Sequence, residues 1–407
     1  RGLDGLRAWG TAAPVLASPW LPALAAAAAL PSVAAVAGWL AGFSSGWLVL
    51  LGFAVTRVMV APLGRRVTAV LEAVEAPARD LRVLRGLIAR IEGERFAAPP
   101  LAAVVEDLGR DGARASARIR DLERRIAFAD AMRNPFFAPF ALALACELHA
   151  ALRIESWRTR TGPALAVWLA AVGRFEALAS LAGHAALHPE DPFPEVVEGP
   201  PLLVATGAAH PLLPAGRAVR NDVVIDAERR VHVVSGSNMS GKSTLLRTVG
   251  ANTVLALAGA PVRAVSLRVS RVTVGASIHV HDSLLDGESR FYAEVARIGR
   301  IVRLAKDGPL PLLFLLDEIF HGTNSADRRT GAAAVVRELL ADGASGLVTT
   351  HDLELARIAE DLDAHVVNVH FEDQFEDGRM SFDYRMRPGV VTRSNALALM
   401  RAVGLRV

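Results

Sequence analysis

Gly236, Gly241, Lys242 and Ser243 stand at the spacing G-x-x-x-x-G-K-S inside the decapeptide SGSNMSGKST, residues 235–244. That spacing suits a grip on phosphate. Glycines let a short loop turn successive backbone N–H groups toward an anion, and a helix opening at the lysine adds the positive end of its dipole. Lys242 would then reach the terminal phosphates while the Ser243 hydroxyl ligates magnesium. The flanks meet the context this chemistry requires: RVHVVS precedes the loop as a strand, and STLLRTVGANTVLALAG follows it as a helix.

About 70 residues further on, LPLLFLLDE (310–318) is an apolar run of strand length that ends in two acids. A buried strand with Asp317 and Glu318 at its carboxyl end sets both at the crevice where open α/β sheets bind ligands. Asp317 is expected to hold Mg²⁺, and Glu318 to orient or deprotonate an attacking water. Either acid alone reads equally as a surface strand end; paired with the phosphate loop they indicate a nucleotide hydrolase. In the strand LVTTHD, His351 follows two threonines and is a candidate sensor of the γ-phosphate, with a structural role as the alternative. Ser289, in DSLLDGESRFYAEVARI (282–298), precedes a predicted helix, a position equally explained by capping or by anion binding.

These residues need elements to hold them. After residue 201, β-branched runs (VHVVSG, RVTVGASIHV, LPLLFLLDE, GLVTTHD, HVVNVHF) alternate with helical stretches at 243–258, 290–306 and 327–342, which predicts a parallel or mixed α/β sheet. Upstream, Val67, Val70, Leu71, Val74 and then Leu81, Leu84, Leu87, Ile88 and Ile91 recur at helical spacing, interrupted at Pro77 and at Ala98-Pro99-Pro100. Arginines ring the helix 110–129, a solvated face by default and a DNA-backbone contact as the alternative. HPEDPFPEVVEGPP (188–201), with five prolines and four acids, reads as a linker.

The chain has 407 residues, 52% of them hydrophobic, with a net charge of +3 carried almost wholly by arginine; Lys242 and Lys306 are the two lysines. A disordered chain is excluded, and an anionic partner is permitted without being named. One cysteine, Cys146, excludes an internal disulfide framework and fits a reducing compartment. From Ala8 to Thr56 there is no charged residue or histidine, a run of 49 residues. That length would cross a bilayer twice. Pro31 and GFSSG (42–46) are both candidate turns, and arginines on either side favour a hairpin with both ends in the cytoplasm. A buried alanine-rich hairpin is the alternative. The opening Arg1 suggests that the natural product starts further upstream.

GSNMSGKSTLLR, with its Asn238-Met239 pair, resembles the phosphate loop of the MutS mismatch-recognition ATPases. DEIFHGTNSADR (317–328) resembles that family's Walker B strand and following loop, and DGESRFYAEV its signature segment. HPLL at His210, Asn221-Asp222 and YRMRPGVVTRSNALALMRAVGL (384–405) resemble further family segments in the family's order. The resemblance implies nucleotide contacts at Gly236, Ser237, Asn238, Met239, Ser240, Gly241, Lys242, Ser243 and Thr244. It implies Mg²⁺ ligands at Ser243 and Asp317, and catalytic roles for Glu318, His351 and Ser289, the serine acting on the partner subunit's nucleotide. ATP and Mg²⁺ are the implied cofactors, and DNA and a second copy of the chain the implied partners.

The architecture expected is an α/β P-loop, ABC-like ATPase domain over 201–407. An all-α core and lever region with its linker (66–200) precedes it, after an apolar, transmembrane helical hairpin (1–65). The sequence departs from the family at Ser240, usually glycine, and at Phe320-His321, usually a small-basic pair; both are compatible with nucleotide. No counterpart of the mismatch-reading domain or of the clamp is found, and Phe193-Pro194-Glu195 reads as a coincidental Phe-x-Glu string. Two functions stay open: an ATPase acting on DNA, and a membrane-tethered ATP-driven switch acting on a protein or lipid through residues 8–56. Both put the ATPase in the cytoplasm, the second at the inner face of the membrane.

Overall fold

A computed structural model of the chain describes residues 2–110, 112–132, 134, 136–214, 216–237, 239–278, 290–320, 323–352, 356, 363–376 and 379–391. The chain divides into two compact units, Arg1–Ala179 and Ser180–Val407.

The first unit is helical among its described residues: α1 (Gly2–Thr11), α2 (Leu21–Leu40), α3 (Gly46–Val60), a 3₁₀ turn (Ala61–Leu63), α4 (Gly64–Ala73), α5 (Glu75–Gly93), α6 (Pro99–Gly109), α7 (Ala115–Met132), α8 (Ala138–Ala143), α9 (Cys146–Thr161) and the first part of α10 (Ala164–Leu187). Val67, Val70, Leu71 and Val74, spaced to share one helix face, are all buried. The interruption expected near Pro77 falls at Val74, so Pro77 sits in the first turn of α5, where a missing N–H leaves no bond unmade. Pro99 and Pro100 open α6 for the same reason. Of the two candidate turns in the apolar run, the chain reverses between Leu40 and Gly46, and Pro31 lies inside α2.

Trp157, Trp168, Ile154, Ile119 and Leu165 form the centre of this unit. A buried ion pair fastens its N-terminal segment. Arg158 meets Glu155 at 2.7 Å and donates to the carbonyls of Trp9, Ala12 and Ala13, while Glu155 accepts from the Val15 N–H at 2.6 Å. Every hydrogen-bonding group of the pair is thereby occupied, which a buried charge needs if it is not to destabilise.

The second unit contains two sheets among its described residues. Strands β1 (Glu195–Val197), β2 (Leu203–Ala208), β3 (Asn221–Ile225) and β4 (Val231–Ser235) lead to α11 (Lys242–Leu257). Then follow β5 (Ser266–Ser270), β6 (Thr273–Ser277), α12 (Arg290–Asp307), β7 (Leu312–Leu316), α13 (Ser325–Ala341), β8 (Ser345–Thr350), β9 (Val366–Glu376) and β10 (Arg379–Pro388). The smaller sheet has the order β1-β5-β2-β3, and the larger β10-β9-β4-β8-β7-β6. In the larger sheet β9, β4, β8, β7 and β6 run parallel and β10 is antiparallel at the edge.

Helix α11 packs between the sheets. Leu245, Leu246 and Val249 meet Leu203, Val223 and Val269 from the smaller sheet and Val234, Leu313, Leu315 and Leu347 from the larger. On the other face Leu312, Phe314 and Leu316 join Ile298, Ile301, Val336 and Leu339 from α12 and α13. Strand β7 is therefore covered on both sides, which is why its residues read as an unbroken apolar run rather than an alternation. Burying Phe314 alone is worth roughly 2–3 kcal/mol.

The segment read as a linker is built into this unit. Its residues 195–197 form β1, parallel to β5 at the sheet edge. Asp191 is buried and meets the buried Arg263 guanidinium at 2.9 Å, with Glu190 on the same nitrogen at 2.6 Å. The Pro192 carbonyl accepts from Val262 N–H. Proline lacks a donor but keeps its acceptor, so a proline-rich segment can still dock along an edge.

Candidate nucleotide site

Parallel register brings three strand ends together. Ser235, the last residue of β4, pairs with Thr350 of β8 and His370 of β9, while Leu316 of β7 pairs with Val348 of β8 and Ser277 of β6. Because β8 lies between β4 and β7, the loop after β4, the acids after β7 and His351 after β8 all emerge at one edge. No sequence separation hints at this; strand order creates it.

The loop after β4 turns on two residues with left-handed backbone, Met239 (φ 70°) and Gly241 (φ 109°), before α11 starts at Lys242. Gly236 (φ 149°) admits no side chain, since a Cβ would lie 2.8 Å from Ser240 Oγ and 2.9 Å from the Phe371 carbonyl. Lys242 is buried; its Nζ donates to the carbonyls of Gly236 (2.9 Å) and Ser237 (2.8 Å) and lies 3.4 Å from Glu318 Oε1. Burial pulls the ammonium below its ordinary pKa of 10.5, and the Glu318 carboxylate opposes that fall. Ser240 Oγ is buried with no hydrogen-bond partner among the described residues.

Across from the lysine, Thr349 sets the acids. Its Oγ1 donates to Asp317 Oδ1 at 2.6 Å and accepts from Glu318 N–H at 3.0 Å, and Asp317 N–H donates to the Ser277 carbonyl. Glu318 has left-handed backbone (φ 47°), which sends its side chain away from the strand direction. His351 Nδ1 lies 3.5 Å from Glu318 Oε1. The hydrogen bond from His351 and the charge of Lys242 together outweigh burial and hold the Glu318 carboxyl down at about 2, from an ordinary 4.5.

That depressed value fixes a pH dependence. Glu318 is deprotonated more readily folded than unfolded, so its stabilising contribution is complete above about pH 4.5 and disappears as pH falls toward about 2. Urea unfolding at stepped pH should show the wild type losing about 2 kcal/mol more than Glu318→Gln across that window. Parallel curves would show that the carboxylate is not held as described.

A cavity of about 790 Å³ opens at these groups. Its lining includes Gly241, Lys242, Ser243, Thr244, Asp317 and Glu318, together with His210, Leu213, Val219, Phe371 and Tyr384. Asn221 also lines it: its Nδ2 donates to the Tyr384 carbonyl and its Oδ1 accepts from Met386 N–H. It thereby fills a gap in the β9–β10 ladder, whose register shifts between Phe382 and Met386 around the left-handed Tyr384 (φ 54°). Burial, with the nearby Arg247 charge, lowers the His210 pKa from 6.5. The cavity lining thus combines charged groups, hydroxyls and aromatic rings, with Tyr384 and Phe371 lying beside Gly241 of the loop.

Of the residues singled out by sequence, Gly236, Ser237, Met239, Ser240, Gly241, Lys242, Ser243, Thr244, Asp317, Glu318 and His351 lie in or beside this group. Asn238 and Ser289 fall outside the described residues. Sequence reasoning missed Thr349, Glu294, Phe371 and Tyr384. Glu294 is buried and accepts from Phe320 N–H at 2.5 Å, so it braces the turn after the acids. A threonine pair at a strand end was the available sign of Thr349; Tyr384 had none, because only the register shift aims it.

Residues 232–406 match the family model of MutS domain V, which is an ATPase domain on an α/β sheet. The chain is also similar to two Halobacterium salinarum proteins. It is 36% identical to DNA mismatch repair protein MutS 2 over 243 residues, covering 58% of this chain and 27% of the relative. It is 37% identical to DNA mismatch repair protein MutS 1 over 266 residues, covering 64% and 29%. DNA mismatch repair protein MutS of Lactobacillus delbrueckii subsp. bulgaricus is 32% identical over 196 residues, 48% of this chain and 22% of the relative. Through residues 232–406 the chain carries a divergent MutS domain V. It spans less than a third of the length of these relatives.

Proposed function

We propose that this chain is a MutS-type ATPase that binds ATP in the cavity described and serves DNA mismatch repair, the role named for its relatives. The observation that carries the reading is the meeting of Lys242 with Glu318, at the start of α11, in the lining of a cavity that also holds Ser243, Asp317 and aromatic side chains. The residues suit a nucleotide: the buried Lys242 ammonium and the Ser243 and Thr244 hydroxyls offer groups for phosphate, and His210, Phe371 and Tyr384 offer rings for a base. Ser243 and Asp317 would hold Mg²⁺, which neutralises phosphate charge when bound. Lys242 grips the terminal phosphates, Glu318 takes the proton of the attacking water or orients it, and His351 steadies Glu318. By family resemblance, two copies face each other and Ser289 completes the partner's site.

DNA contact is tested by a salt series on homoduplex and mismatched duplex. The logarithm of the affinity should fall linearly with the logarithm of salt, by about 0.9 per phosphate contacted. A flat response, or no retention at low salt, would move the reading to its alternative, a membrane-tethered ATP-driven switch for a protein or lipid partner. That alternative is favoured by the apolar surface of α2 and α3, and it places the ATPase at the inner face of the cell membrane.

A further inference from the structure

We infer that the hairpin Ala28–Thr56 of α2 and α3 embeds in a lipid bilayer, with the short aromatic helix α8 lying along the membrane surface beside its base. This deepens the tethered reading of localisation and does not depend on what the ATPase acts upon.

The seam between α2 and α3 is made of small residues. A Cβ on Gly52 would lie 2.8 Å from the Pro31 carbonyl and 3.0 Å from Ala35 Cβ, so the two backbones touch there. One turn away Ser32 Oγ and Thr56 Oγ1 share a hydrogen bond of 2.6 Å, and Thr56 also donates to the Ala28 carbonyl at 2.7 Å. Both hydroxyls are wholly buried, inside a pair of helices whose outer faces are apolar. Small residues spaced four apart, Ala28 with Ser32 and Gly52 with Thr56, with hydroxyls bonded across the seam, are how helices associate where lipid removes the hydrophobic drive between them. A soluble hairpin would instead put its large side chains into the seam.

Here the large side chains face outward. Leu30, Val33, Trp39, Leu40, Phe43, Trp47, Leu50, Leu51, Val55 and Val58 are exposed, Phe43 at 90%. So large a contiguous apolar surface exceeds what a water-facing monomer tolerates. The base of the hairpin is different in kind. Leu21 and Ala25 of α2 pack into the helical core, and Arg57 and Arg65 stand at the other leg. At that same level Ala141 and Leu142 of α8 line a groove with Arg57, Val60 and Ala61. The aromatic side chains next to that groove, Phe136, Phe137 and Phe140, are exposed. Arginines and aromatics collected at one end of an apolar pair of helices are the pattern of a membrane–water boundary.

Helix α10 shows that apolar composition alone does not produce this surface. It is long and apolar enough to cross a membrane. Yet within the first unit its large residues Leu165, Trp168 and Val172 are buried in the protein core, and Arg174 interrupts it.

The whole chain, wild type and a Leu30→Arg/Leu50→Arg variant, is mixed with vesicles of phosphatidylethanolamine and phosphatidylglycerol, floated, and washed with carbonate. Both substituted positions are exposed, so the helical core should fold regardless; circular dichroism and nucleotide retention check this. Wild type is expected to float and resist carbonate, while the variant loses at least about tenfold of its bound fraction with nucleotide retention unchanged. Brominated acyl chains should quench wild-type fluorescence, and Trp39→Phe/Trp47→Phe should remove the quenched component. A Phe136→Ser/Phe140→Ser variant should reduce binding by a smaller factor. Wild type that stays unbound, an arginine variant that floats equally well, or wild type that self-associates without taking up lipid would each overturn the inference. Nucleotide retention that fails while flotation succeeds would count against the ATPase reading alone.

Discussion

Lys242→Ala is expected to eliminate nucleotide retention, raising Kd by at least about 100-fold. Hydrogen bonds from a charged donor contribute about 1.5–3 kcal/mol each, and an ammonium spanning two phosphates makes two or more of them, which brackets about 10² to 10⁴ in affinity. The variant suffers a second loss. Lys242 is the cation 3.4 Å from Glu318 Oε1, so its removal leaves that carboxylate without this neighbour on the wall that must receive anionic phosphate. Equilibrium dialysis with labelled ATP and Mg²⁺ reads the effect directly, with circular dichroism as the folding control. Retention equal to wild type in a folded variant would remove the site.

Glu318→Gln should do the opposite to binding and more to turnover. The amide keeps the size of the side chain but can neither accept a proton nor repel phosphate, so ATP should bind as tightly as in wild type or more so. Hydrolysis should fall about 10²–10⁴-fold, the usual contribution of a positioned general base. Single-turnover phosphate release separates this from a binding defect, since the loss must appear in kcat and not in KM. A turnover within a few-fold of wild type would leave Asp317 or His351 to be tested as the base instead.

The larger sheet could be anticipated because β7, sealed on both faces, spells a continuous apolar run, LLFLL, and the buried β4 and β8 carry the β-branched stretches VHVV and LVTT. The smaller sheet could not. Strand β2, LVATGA, mixes glycine and alanine with larger residues, and β1 is three residues inside a proline-rich stretch. Their pairing depends on partners dozens of residues away, such as Val269 opposite Leu203. The candidate site divides in the same way. Lys242, Asp317 and Glu318 announce themselves because a spacing or a strand end accompanies them. Thr349 acts through hydrogen bonds that exist only once β8 lies between β4 and β7. Asn221 and Tyr384 meet only through an irregular ladder, which no local pattern records. The segment 188–201 misleads because proline richness signals absent donors, whereas its docking relies on acceptors and on the Asp191 carboxylate.

The contact between Lys242 and Glu318 also bears on timing. A carboxylate held near 2 is a feeble proton acceptor, since it surrenders at neutral pH almost any proton it is offered. In the proposed ATPase, incoming phosphate would compete for the same ammonium, and the acid would grow more basic by the part that lysine holds, while the larger part, the His351 hydrogen bond, remains. On the proposed reading, Glu318 would stay a weak base until bound phosphate draws on the lysine's charge, which couples the readiness of the acid to the presence of ligand.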